Sequence, residues 1–195
     1  MSYLVLLDSS NTSLSVGLAK EDVLLDSTSY EAWQAQSEHV IPELNCLLDK
    51  HNVNKDEIKG IIVSVGPGSY TGVRIAITIA KVMATALKCE LYTVSSLRVL
   101  KNGNKPSICL INARSSRYYV GVYEGDKIIV NDKIMTNDEV KAYIAEHPDY
   151  IVCGNTTYLG IEGYQSNIPE EMVSLKNAIE PVENPMAVSP IYMRD

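Results

Sequence analysis

The sequence predicts a two-lobed α/β protein with mixed sheets, on three observations. Short apolar runs suited to strands alternate with helical patterns along the 195 residues. A polar, turn-rich stretch, Asn102-Gly103-Asn104-Lys105-Pro106, lies near the midpoint. After it the pattern starts again, so each half opens with hairpin-linked strands and then alternates helix with strand. The lobes are expected at 1–101 and 106–195, with 102–105 as the linker.

Residues 3–7 form an apolar run for a buried strand, and 8–12 a polar turn. Segments 14–18 and 23–27 read as antiparallel strands joined at Lys20-Glu21-Asp22. Over 38–51, Val40, Ile41, Leu44, Leu47 and Leu48 recur at helical spacing, and Pro42 is tolerated in the first turn. Strand 61–65, a glycine loop, helix 73–87 and strand 91–94 complete a β-α unit. Beyond the linker come strands 107–111, 118–123 and 127–130, helix 137–146, and strand 150–153 running into Gly154. From Tyr164 onward the chain is rich in Pro, Asn and Glu with weak periodicity, and no element is assigned.

A chain of this length buries one substantial core or two small ones. The net charge of -7 argues against a broad grip on a phosphate backbone. Cys46, Cys89, Cys109 and Cys153 form no C-x-x-C pair and read as reduced core thiols. His39, His51 and His147 include no pair four apart, which excludes an H-x-x-x-H metal helix. The start M-S-Y-L-V-L-L-D has no positive region and breaks at Asp8, and no run reaches the ~20 apolar residues of a membrane span. A cytoplasmic location is the expectation.

The loop Gly66-Pro67-Gly68-Ser69-Tyr70-Thr71-Gly72 stands between a strand and a helix. Gly66, Gly68 and Gly72 permit positive backbone dihedrals and close approach, and Ser69 or Thr71 can cap the helix. It is not an ATPase phosphate loop, because Val73 and Arg74 rather than lysine follow Gly72. Ser69 is not in a G-x-S-x-G elbow either. Asp8 reads as a turn-capping carboxylate, the alternative being a water-mediated Mg2+ contact. Arg74 and Arg114, each beside a loop, could clamp an anion or pair along a surface. The helix 73–87 is apolar on every side. Val73, Ala76, Ile77, Ala80, Ala84 and Leu87 share one face, Ile75, Ile79, Val82, Met83 and Ala86 the other, with charge only at Arg74, Lys81 and Lys88. Such a helix needs cover on two sides, from its own chain or from another protein.

Residues 66–75, G-P-G-S-Y-T-G-V-R-I, closely resemble the G-P-G-S-F-T-G-L-R-I signature of the TsaB (YeaZ) family. Weaker matches follow in the same chain order at 6–18, 37–42, 95–97 and 111–114, with a faint echo at 190–194. The resemblance implies the actin-like ATPase (ASKHA) superfamily fold, two ribonuclease-H-like lobes. It implies a non-catalytic partner of TsaD, the enzyme that places threonylcarbamoyl on the tRNA adenosine beside the anticodon. ATP and metal would reside on TsaD, with none bound tightly here, and no catalytic or metal-ligating residue is expected. TsaE would be a third component, tRNA would be touched only indirectly, and the isolated chain could be a homodimer or a monomer, which the sequence does not decide. The implied partner interface is Val40, Ile41, Leu44, Leu48, Val73, Ala76, Ile77, Ala80, Met83 and Ala84, with Ala80→Glu expected to separate the partners and leave a folded monomer. Candidate loop or nucleotide contacts are Asp8, Gly66, Gly68, Ser69, Gly72 and Arg74. The chain departs from the pattern at Gln36 (histidine in the family), Asn112 (D-A-R in the family) and Arg117 (often acidic). The chief alternative is a small ATP-binding actin-like ATPase or kinase, for which Asn112 lacks the charge a cation needs. A peptidase lacks its metal ligands, and a homodimeric interaction protein with no tRNA role is a further alternative.

Overall fold

A computed structural model describes residues 2–32 and 35–193. The first sheet has the order β3-β2-β1-β4-β5, formed by β1 (Tyr3–Asp8), β2 (Ser13–Lys20), β3 (Val23–Glu31), β4 (Ile58–Ser64) and β5 (Glu90–Val94). The first three strands are antiparallel, and β1, β4 and β5 run parallel. Strand β1 is apolar on both faces because both are covered. Val5 and Leu7 point to a core shared with α1 (Gln36–Lys50) and α2 (Tyr70–Leu87), whereas Leu4 and Leu6 meet Met172, Val173 and Leu175.

The second sheet has the order β8-β7-β6-β9, from β6 (Ser107–Arg114), β7 (Arg117–Glu124), β8 (Lys127–Thr136) and β9 (Ile151–Gly154). Here β6 is antiparallel to β7 and parallel to β9, as β1 is to β2 and β4. The restart seen in the sequence is therefore a repeated strand plan. Helix α3 (Asn137–Glu146) covers one face through Val140, and its N-terminus is fixed by a capping box of Thr136 and Glu139. Strand β8 runs six residues past the predicted end, since Met135 still packs inward after a register shift.

The tail corrects the lobe boundary. Helix α4 (Ile168–Ser174) supplies Met172 and Val173, and the following turn Leu175, to the open face of the first sheet. The chain then runs as a strap along α2. Val182 N–H donates to Leu91 O (2.8 Å), Lys81 Nζ to Val188 O (2.8 Å) and Ile191 N–H to Val65 O (2.7 Å). Residues from 168 to 193 thus belong to the first lobe, not to a second lobe at 106–195. Two helices can screen only one face of a five-stranded sheet, and the tail screens the other. Arg194, part of the faint terminal echo, lies outside the described residues.

At the hinge, Lys101 is 2% exposed and pairs with Glu171 of α4. Glu171 also accepts from Gly103 N–H at 2.8 Å, so the linker is pinned to the tail. All four cysteines are free thiols. Cys109 and Cys153 are buried and Cys89 half-buried, but Cys46 is exposed on α1, so the core-thiol expectation fails there.

Candidate functional site

The glycine loop is built against its own chain. Ser69 caps α2, its Oγ accepting from Gly72 N–H at 3.2 Å, so the helix starts three residues earlier than its apolar pattern. Ser69 N–H donates to Ser10 O at 2.7 Å, and Ser9 Oγ donates to Gly72 O at 2.7 Å. A Cβ on Gly68 would lie 2.1 Å from Ser10 O, and one on Gly72 1.9 Å from Ser9 O. These two glycines make room for the β1–β2 turn rather than for a phosphate. Gly66 is held by Ser96, whose Oγ accepts from Gly66 N–H at 3.1 Å and whose N–H donates to Gly66 O.

Asp8 ends β1 beneath this turn at 1% exposure, and one of its carboxyl oxygens lacks a hydrogen-bond partner. Burial pushes its pKa up, opposed by the neighbouring Ser64 and Ser10 groups. It does not line the cleft between the lobes, a cavity of about 530 Å3 bordered by Asn11, Ser69, Thr71, Asn112, Arg114 and Asn155. Among the described residues no carboxylate lines that cleft, and no three His, Cys, Asp or Glu converge on one point. The donor set does not fit a nucleotide-bound metal.

Two of the three departures from the family pattern, Gln36 and Asn112, have local explanations. Gln36 Nε2 donates to Asn11 O at 3.2 Å, tying α1 to the β1–β2 turn, and Asn112 Oδ1 accepts from Arg114 N–H at 2.8 Å. Arg117 opens β7 opposite Arg114. The three histidines serve packing and pairing. His39 meets the edge of Tyr30, His51 Nε2 lies 2.8 Å from Asp26, and His147 stacks on Tyr143.

The expected partner interface requires the main correction. Val73, Ala76, Ile77, Ala80 and Ala84 are buried against the first sheet, together with Val40, Leu44 and Leu48 of α1. The alanines that were to admit a partner helix admit β4 and its neighbours instead. Of the ten residues, only Ile41 (41% exposed) and the half-buried Met83 reach the surface. The outer side of α2 presents Ile75, Ile79 and Val82, the last 59% exposed, with Arg74 and Thr78 between them. Charge placement was the available signal: Arg74, Lys81 and Lys88 fall on the outer side, and the inner five positions carry none. Although α2 is long and apolar enough to cross a membrane, only a third of it is buried, and that third lies in its own core. Beside α1 the outer side forms a groove of about 430 Å3 lined by Ser37, Tyr70, Arg74, Ile75, Thr78 and Ile79.

A family profile described as "TsaD: tRNA N6-adenosine threonylcarbamoyltransferase" matches residues 30–148. The tRNA threonylcarbamoyladenosine biosynthesis protein TsaB of Bacillus subtilis is 28% identical over 162 residues, 78% of this chain and 71% of that protein. The chain belongs to the TsaB (YeaZ) family. The fold of the family is shared in full, since YeaZ from Pseudomonas aeruginosa superposes with a TM-score of 0.84 at 24% identity, covering 99% of this chain and 100% of that one. The wider architecture is the actin-like (ASKHA) one. The ethanolamine utilization protein EutJ from Carboxydothermus hydrogenoformans shares it at a TM-score of 0.51 and 12% identity, over 90% of this chain and 89% of EutJ.

Proposed function

We propose that this protein acts in tRNA threonylcarbamoyladenosine biosynthesis as the non-catalytic subunit that binds and activates TsaD. The observation that carries the reading is the outer side of α2, where Val82 stands in solvent and the half-buried Ile75 and Ile79 line an open, largely apolar groove. An apolar helix face left open on a small α/β lobe is a docking surface by its physical chemistry, because covering it removes hydrocarbon from water. Ile41 of α1, one helical turn beyond the groove-lining Ser37, is exposed as well.

In this reading, docking favours the active conformation of TsaD, a coupling free energy between an interface and a distant reaction centre. ATP-linked chemistry and metal belong to TsaD, and TsaE joins as a third component. In the absence of TsaD the same face pairs two copies of this chain. Transfer RNA is held by the partner, consistent with the net charge of -7 here. The setting is the cytoplasm.

Reconstitution tests it. Threonylcarbamoyl transfer by the matching TsaD and TsaE is measured with the parent protein, with Ile79→Asp and without either. Activity is expected only with the parent, because an unpaired carboxylate cannot be buried in that groove. Equal transfer in all three mixtures overturns the proposal.

A further inference from the structure

Resting on that reading, we propose that Arg74 is the polar anchor of the docking face, and that the partner segment seated in the α2 groove presents a carboxylate beside an aliphatic side chain. The groove has an apolar floor, Ile75 and Ile79, and a single charged residue at its rim, Arg74. Among the described residues no carboxylate pairs with that guanidinium, although the chain carries 24 acidic residues against 17 basic ones.

Arg74 is nevertheless held in place. Its Nη1 donates to the Tyr70 hydroxyl at 2.7 Å, and its guanidinium carbon stands 5.1 Å from the Tyr70 ring centroid. The other face of the support is the strap: Tyr192 stacks on Tyr70 with centroids 5.2 Å apart, and Ile191 N–H fixes that part of the strap to Val65 O. One donor direction is thus spent on orientation while the rest of the planar fork stays available, the arrangement that suits bidentate capture of a carboxylate. Immobilising the side chain in advance lowers the ordering cost of binding.

The signature that residues 66–75 resemble has phenylalanine at the position of Tyr70, so the hydroxyl departs from that pattern. A phenylalanine ring could stack on Tyr192 but could not accept from Arg74. Tyr70 therefore converts a packing residue into one that sets the direction of a charge, and Arg74 supplies selectivity where Ile75 and Ile79 supply affinity.

The experiment measures the dissociation constant of the complex with the matching TsaD at low and high salt for the parent, Arg74→Gln, Tyr70→Phe and Ile79→Asp. Circular dichroism first confirms that each variant is folded, as the exposure of Arg74 and Tyr70 leads one to expect. Arg74→Gln is expected to weaken binding about tenfold at low salt and to flatten its salt dependence, while Tyr70→Phe gives a smaller loss with the salt slope retained. Arg74→Glu is then combined with single acid-to-lysine changes across TsaD, and one of them is expected to restore binding. If Arg74→Gln binds as the parent does while Ile79→Asp does not, the anchor falls and the docking face stands. If Ile79→Asp also binds normally, the docking reading itself falls.

Discussion

Gly68 and Gly72 are each fixed by a single carbonyl oxygen of the β1–β2 turn, and that reason was invisible in the sequence. The signature announced close approach but not by what, since the approaching backbone comes from some sixty residues away. Another residue-scale contact is chemically sharper. The Lys50 ammonium, then the His51 ring, hold the Asp26 carboxyl down at about 2, against an ordinary value of 3.8. A depressed folded-state pKa adds stability above the ordinary value and loses it as pH falls toward about 2. Asp26→Asn should therefore cost no more than about 1 kcal/mol near neutrality, because the pair is open to solvent. The difference from the parent should disappear between about pH 4 and about pH 2, as read by urea denaturation across a pH series. Residues that act through their own neighbours in sequence, such as Ser69 as a cap, were legible. Those that act through distant backbone were not.

At the scale of elements, the strand and helix order was readable because each has a period of its own. The unbroken apolar run of Leu4, Val5, Leu6 and Leu7, whose alternate residues enter opposite cores, and the 3.6-residue repeat of Val73, Ala76, Ile77, Ala80 and Ala84 are local facts. Which face of α2 turns inward cannot be read from apolar periodicity, because both faces are apolar; only the charges at Arg74, Lys81 and Lys88 mark the outer side, and the fit to the sheet sets the inner one. Small side chains fit, since they let the helix axis approach the strands. Ala80→Glu accordingly tests the core rather than an interface. With Ala80 at 0% exposure, a buried, oversized and unpaired carboxylate should cost more than about 4 kcal/mol and leave little folded protein in a thermal melt followed by circular dichroism. A normal melting curve would mean that α2 is oriented otherwise.

For the molecule as a whole, the repeated strand plan was legible and the interleaving was not. Residues 164–193 carry short helices, prolines and a strap, whose contacts are individually weak and have no period to read. Yet they complete the first lobe through Met172, Val173, Leu175, Val182 and Val188. A fragment of residues 1–101, the first lobe by the sequence pattern, should lack that cover. It is expected to show exposed apolar surface by dye binding and no cooperative urea transition, while the full chain unfolds in one step. The Lys101 and Glu171 pair reinforces this unity by joining linker to tail, and removing either partner would strand a buried charge.

The strap bears also on the order of events at the ribosome. A nascent polypeptide that has emerged only as far as β9 has made both sheets but has nothing to lay over Leu4 and Leu6, and no backbone N–H for Val65 O. The half synthesised first is thus the half finished last, and its oily underside waits through the translation of roughly seventy further codons before Met172, Val173 and Leu175 exist to cover it.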